Sequence, residues 1–163
     1  MDQVPLSTLY FVLLALLLFS AFFSGSETGL MAINKYRLRH LANQGHRGAK
    51  LAQLLLRQPD RLIGLILLGN NLVNIMAASI ATVIGLRLFG ANGVWTTSLV
   101  LTVIILIFSE VAPKTVAALH PERIAYPASY VLFPLLKVLF PVVWLVNGLT
   151  NLVLKPFRVH TNV

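Results

Sequence analysis

Long apolar runs alternate along this chain with short segments where charge is concentrated. Residues 6–32, 61–88 and 94–118 are apolar over enough length to cross a hydrocarbon core as α-helices, which takes roughly 18–20 residues. Between the first two runs, residues 34–58 change character. Leu38, Leu41, Leu51, Leu54 and Leu55 recur there among Lys35, Arg37, Arg39, Arg47, Lys50 and Arg57. Gly45 divides the stretch and Pro59 is expected to end it, which predicts two short amphipathic helices forming a basic juxtamembrane hairpin. Residues 121–155 are also apolar, but Pro127, Pro134 and Pro141 interrupt them and Lys137 sits midway. A single crossing would place Lys137 near mid-bilayer, at a cost of a few kcal/mol. It would also carry the basic tail Lys155-Pro156-Phe157-Arg158 across. A bent interfacial or re-entrant helix pair avoids both. The predicted fold is therefore an all-α membrane protein: three transmembrane helices, a cytoplasmic-side helical hairpin and membrane-embedded belt helices.

Composition supports that class. Of 163 residues, 57% are hydrophobic and 11% charged, and mean hydropathy is +0.81. The length suits one domain. The absence of cysteine excludes disulfides and thiolate metal sites. The net charge of +8 invites a nucleic-acid reading, but seven of the thirteen Lys/Arg residues lie between Asn34 and Arg61, with little aromatic interleaving and no nucleic-acid motif. The better partner is a bilayer with anionic headgroups. The positive-inside rule places this loop in the cytoplasm, the N-terminus outside and the C-terminus in the cytoplasm of a multi-pass plasma-membrane protein. Met1-Asp2-Gln3 lacks the positive n-region of a signal peptide, so the first run is expected to stay as a mature helix. No nucleophile–base pair or cofactor fingerprint occurs in the membrane segments, so an enzyme is not expected.

Candidate chemistry lies in three places. Ser20, Ser24 and Glu27 stand at i, i+4 and i+7 on one helical stripe. That region also contains Gly25-x-x-x-Gly29, a spacing that serves helix packing. Gly69-Asn70-Asn71-Leu72-Val73-Asn74 puts three amides into a membrane helix, with Asn70 and Asn74 on one face and Asn71 turned away by about 100°. Ser109-Glu110-Val111-Ala112-Pro113-Lys114 puts a carboxylate into a third. An ionisable residue inside a span is a functional candidate. Pro113 has no N–H for the carbonyl of Ser109, and a free carbonyl beside a carboxylate suits a hard cation. Glu110 could equally pair with Lys114 one turn on. Read by depth, Ser20, Ser24, Asn70, Asn74 and Glu110 all fall in the cytoplasmic half of their crossings. Such oxygen ligands suit Mg²⁺, Ca²⁺ or Na⁺ and not zinc or copper. His40, His46, His120 and His160 are expected to be ordinary solvated histidines.

Taken together, Phe-Ser-Gly-Ser-Glu-Thr-Gly-Leu (23–30), Gly-Asn-Asn-Leu-Val-Asn (69–74) and Ser-Glu-Val-Ala-Pro-Lys-Thr (109–115) resemble the transmembrane domain of the CorC/cyclin M magnesium transporter family, over nearly the whole chain. The resemblance implies a homodimer with three transmembrane helices, exporting Mg²⁺ in exchange for Na⁺. It implies that a dehydrated Mg²⁺ is held by Ser20, Ser24, Asn70, Asn74 and Glu110. Glu27, Gly25, Asn71, Ser109, Pro113 and Lys114 are candidates for gating or a secondary role. Members of the family continue into a CBS-domain pair that binds ATP; no such segment is seen here, and a cytosolic domain is expected to be missing from this chain. A rival reading is a Mg²⁺-responsive sensor or scaffold that carries no ions, and another is a Na⁺ or Ca²⁺ site of the same ligand type.

Overall fold

The computed structural model describes residues 4–157. Every regular element among them is helical: α1 (Leu6–Ala32), α2 (Lys35–Asn43), α3 (Arg47–Leu56), α4 (Pro59–Phe89), α5 (Gly93–Ile104), a π-helical segment (Ile105–Val111), α6 (Ala112–Leu119), α7 (Pro121–Val138), α8 (Phe140–Leu154) and a 3₁₀ turn (Lys155–Phe157). Three helices are long and apolar enough to cross a membrane: α1, α4 and the continuous run Gly93–Leu119. The expectations for Met1–Gln3, Arg158 and His160 fall outside the described residues.

The spans are held by close contact, since lipid removes the hydrophobic drive that joins helices in water. Their outer faces stay apolar and open, as with Phe11, Leu18, Ile75, Trp95 and Phe108. Small residues set the seams. Ala77 and Ala81 are buried, and a Cβ on Gly85 would come within 2.4 Å of Thr97 Oγ1, so α4 and α5 nearly touch there. Gly25 and Gly29 face Pro113 and the start of α7 respectively.

The basic stretch forms the expected hairpin. Asn34 caps α2, its Oδ1 accepting from the N–H of Tyr36 (2.9 Å) and Arg37 (3.3 Å). Gly45 supplies the turn with φ +91°, a conformation that suits glycine. His46 does more than face solvent: its Nδ1 caps α3 by accepting from the Ala49 N–H at 3.0 Å. Arg37 pairs with Glu122 of α7 at 3.1 Å.

Prolines act differently from one another. The hairpin stops just short of Pro59, as expected, and the same proline opens α4, where its missing N–H costs nothing. Asp60 therefore lies in the first turn of α4. Pro127 and Pro134 lie inside α7 without breaking it, and the 75° bend between α7 and α8 falls at Leu139. Pro141 explains the position. It cannot donate to the carbonyl one turn back, and it suits the first turn of a new helix, so the break falls just ahead of it at Leu139. At the bend the nearby cations rest on rings, Lys137 over Phe133 at 4.5 Å and Arg61 over Phe140 at 4.4 Å.

Candidate functional site

The site is built where α4 and the π segment meet α1. Gly69 lets α4 approach: a Cβ there would lie 2.6 Å from Phe23 Cζ of α1. This contact sets Asn70 and Asn74 opposite Ser20. The Ser20 hydroxyl lies 2.7 Å from Asn74 Oδ1 and 3.1 Å from Asn70 Oδ1. Three oxygens therefore converge around one proton, because a hydroxyl donates one hydrogen bond at a time.

Hydroxyl behaviour separates these residues from seven other serines and threonines of the helices. Ser26, Ser79, Thr82, Thr102, Thr115, Ser129 and Thr150 each donate to the carbonyl four residues back. That is the usual resort of a hydroxyl in an apolar helix. Ser20, Ser24 and Ser109, all fully buried, do not. Ser20 turns to the amides, and Ser109 donates to the Leu17 carbonyl of α1 at 3.2 Å. Ser24 Oγ has no hydrogen-bond partner among the described residues. Leaving a buried hydroxyl unpaired costs about 1–3 kcal/mol.

The carboxylate comes from the irregular part of the third span. The π segment closes on the carbonyl five residues back, as where the Ala112 N–H is directed to Ile107. The next residue is Pro113. Pro113 falls just past the π segment, in the first turn of α6, where it has no N–H to give the preceding turn. The widened turn also brings position i+5, not i+4, over Glu110. Glu110 and Lys114 accordingly form no ion pair among the described residues. Two contacts fix the level of this segment against α1: Ser109 meets Leu17, and Gly25 sits 3.6 Å from Pro113 Cβ as measured from its ideal Cβ. Ser20 and Ser24 lie between Leu17 and Gly25 along α1, and Glu110 lies between Ser109 and Pro113. The half-buried Glu110 is thus brought to their level, though its carboxylate makes no hydrogen bond to them.

Other candidates sit elsewhere. Glu27 and Lys114 line a shared open hollow with Thr28 and Met31. Asn71 leaves the site altogether and lines a groove between α4 and α8 with Asn147, Thr150 and Asn151. No group of three or more His, Cys, Asp or Glu side chains gathers among the described residues. Sequence reasoning did not single out Phe23 and Gly69 as the pair that closes the α1–α4 seam. A glycine directly before the amides was the available signal.

These features define a multi-pass helical membrane domain with a buried oxygen cluster between its spans. The chain belongs to the cyclin M transmembrane N-terminal domain family, which matches residues 11–163. It is 53% identical over 144 residues to the UPF0053 inner membrane protein YfjD of Escherichia coli, covering 88% of this chain and 34% of the relative. A UPF0053 protein of Haemophilus influenzae is 54% identical over 151 residues, covering 93% of this chain and 36% of that protein. A polyamine export protein of Escherichia coli is 27% identical over 165 residues, covering 90% of this chain and 36% of the relative. The chain spans about a third of the length of these relatives.

Proposed function

We propose that this domain carries Mg²⁺ out of the cytoplasm, coupled to Na⁺ entry, by alternating access around Ser20, Ser24, Asn70, Asn74 and Glu110, in a plasma-membrane homodimer with its N-terminus outside. The observation that carries this reading is the Ser20–Asn70–Asn74 trio beside the unpaired Ser24 hydroxyl. Oxygens in neighbouring positions of a Mg²⁺ octahedron of 2.0–2.1 Å radius stand about 2.9 Å apart. The 2.7 and 3.1 Å separations are hydrogen-bond lengths, so the three neutral oxygens are already gathered closely enough to turn together onto one small ion. Larger Na⁺ or Ca²⁺ would spread the same oxygens. Ser24 offers a fourth neutral ligand and Glu110 the charge. One carboxylate neutralises half of a divalent ion, which favours modest affinity and hence release.

Polyamine cargo is the reading that the exporter relatives favour. It asks more of this site, because a polyamine presents two or more ammonium groups and the cluster supplies one carboxylate. The deciding experiment is Mg²⁺ flux from dye-loaded liposomes containing the full-length protein, under an imposed Na⁺ gradient, for the wild type and Asn74→Ala. Gradient-driven flux that Asn74→Ala loses, and that excess spermidine leaves untouched, is the expected result. Intact Mg²⁺ binding without flux would replace the transporter with a Mg²⁺ sensor. Suppression by spermidine would move the cargo to polyamines.

A further inference from the structure

We propose that the α2–α3 hairpin holds a discrete phosphate pocket for the headgroup of an anionic phospholipid, formed by Lys35, Arg39 and Arg57. Lys35 and Arg39 stand four residues apart on one face of α2, and Gln53, Leu56 and Arg57 share one face of α3. The two faces enclose a pocket of about 300 Å³, with Leu38 completing the lining. No acidic side chain lines it. Arg37, which lies between the two cations in sequence, turns away to Glu122. Among the described residues, Lys35, Arg39 and Arg57 have no ion pair and no side-chain hydrogen bond. Like charges at i, i+4 destabilise a helix, so this arrangement asks for an anion. Two guanidinium forks and an ammonium match a phosphodiester, which Arg can bind through two parallel hydrogen bonds.

Chain connectivity sets the depth. Lys35 comes just after α1 ends at Ala32, and Arg57 comes just before α4 begins at Pro59. Both helices are long enough to span a membrane, so the pocket is tied to the level of the headgroups. A lipid suits the surroundings better than free phosphate does. Leu38 and Leu56 give the pocket an apolar base, and Tyr36 (87% exposed) and Leu54 (42% exposed) offer apolar surface on the same helices. A zwitterionic choline lipid would bring its own cation towards three others.

The test is native mass spectrometry of the full-length protein in detergent, titrated with short-chain phosphatidylglycerol, short-chain phosphatidylcholine or glycerol 3-phosphate. Phosphatidylglycerol is expected to bind about tenfold more tightly than either comparison ligand. Arg39→Gln and Arg57→Gln should each weaken it about five- to tenfold, as for loss of a charge-assisted contact. Arg47→Gln and Lys50→Gln remove the same charge from the same hairpin outside the pocket, and should change it less than about twofold. Arg39→Lys and Arg57→Lys keep the cation but lose the fork, and should fall between. Equal weakening by all four glutamine variants would mean diffuse attraction and would overturn the pocket. Glycerol 3-phosphate binding as tightly as the lipid would overturn the lipid assignment.

Discussion

The two seams that α1 makes, one with α4 and one with the π segment and α6, are built on opposite plans. The α4 seam is regular helix against regular helix, brought close at Gly69, with its polar groups already engaged with one another. The π seam is irregular: its hydrogen-bond register is shifted, it leads into a proline, and its carboxylate has no ion-pair partner among the described residues. Neutral oxygens are thus gathered on one seam, while the charge rides on the irregular backbone of the other. Preorganised ligands lower the cost of binding an ion. The comparison can be broken at either seam.

The largest effect is expected from the charge itself. Glu110→Gln keeps the size of the side chain and removes the one anion at this level of the spans. Mg²⁺ affinity should fall about 100-fold, or roughly 3 kcal/mol, measured by isothermal titration on the full-length protein. Thermal stability should change little, because Glu110 has no ion pair to lose. Unchanged binding would remove the π seam from the site.

Next comes Gly69→Ala, which acts on the other seam without touching a ligand. The added methyl would lie 2.6 Å from the Phe23 ring, so α1 and α4 must part or the buried ring must move. Overpacking of this kind costs about 1–3 kcal/mol. A lowered melting temperature and weaker Mg²⁺ binding are expected together. Phe23→Leu in the same chain should restore much of both, which a general folding defect would not allow.

Asn74→Ala and Asn71→Ala form a matched pair, one on each face of α4. Removing Asn74 takes an oxygen from the trio and should weaken Mg²⁺ about tenfold, near 1.4 kcal/mol. Asn71→Ala should leave Mg²⁺ affinity within about twofold, because its side chain lines the α8 groove. Equal losses in the two variants would mean that α4 tolerates no change here, and that the trio has no special part.

Much of this was readable from the chain. Uninterrupted apolar length declares a span, and the i, i+4 spacing of Asn70 and Asn74 places them together while excluding Asn71. Depth then brings Ser20 to them. What could not be read depends on neighbours. Pro59, Pro127, Pro134 and Pro141 are the same residue chemically, yet one starts a helix, two sit within one and one sets a bend. Packing and position in the turn decide which. Ser24 and Ser26 look alike in sequence, and only the fold shows that Ser26 bonds Phe22 while Ser24 has no hydrogen-bond partner among the described residues. The π turn is likewise not announced by its own residues, and the fold anchors Ser109 within it to Leu17, ninety-two positions away.

Pro113→Ala gives the smallest loss expected of a residue beside the site, and the sharpest view of that turn. Alanine restores an N–H, so the third span could close into continuous α-helix with a donor for the Ser109 carbonyl. Alanine also keeps the Cβ that rests 3.6 Å from the position of a Gly25 Cβ, so the α1–α6 contact survives the change. If proline alone held the π register, the variant would rotate Glu110 away and lose Mg²⁺ binding as fully as Glu110→Gln. Two things oppose that: the Ser109 bond to Leu17 and the directed Ala112 N–H both hold the register by other means. A loss of only about threefold, under 1 kcal/mol, is therefore expected, with amide exchange slowed at position 113 relative to its neighbours. Loss on the scale of Glu110→Gln would make proline the device that sets the carboxylate, and the packing at Ser109 a consequence of it.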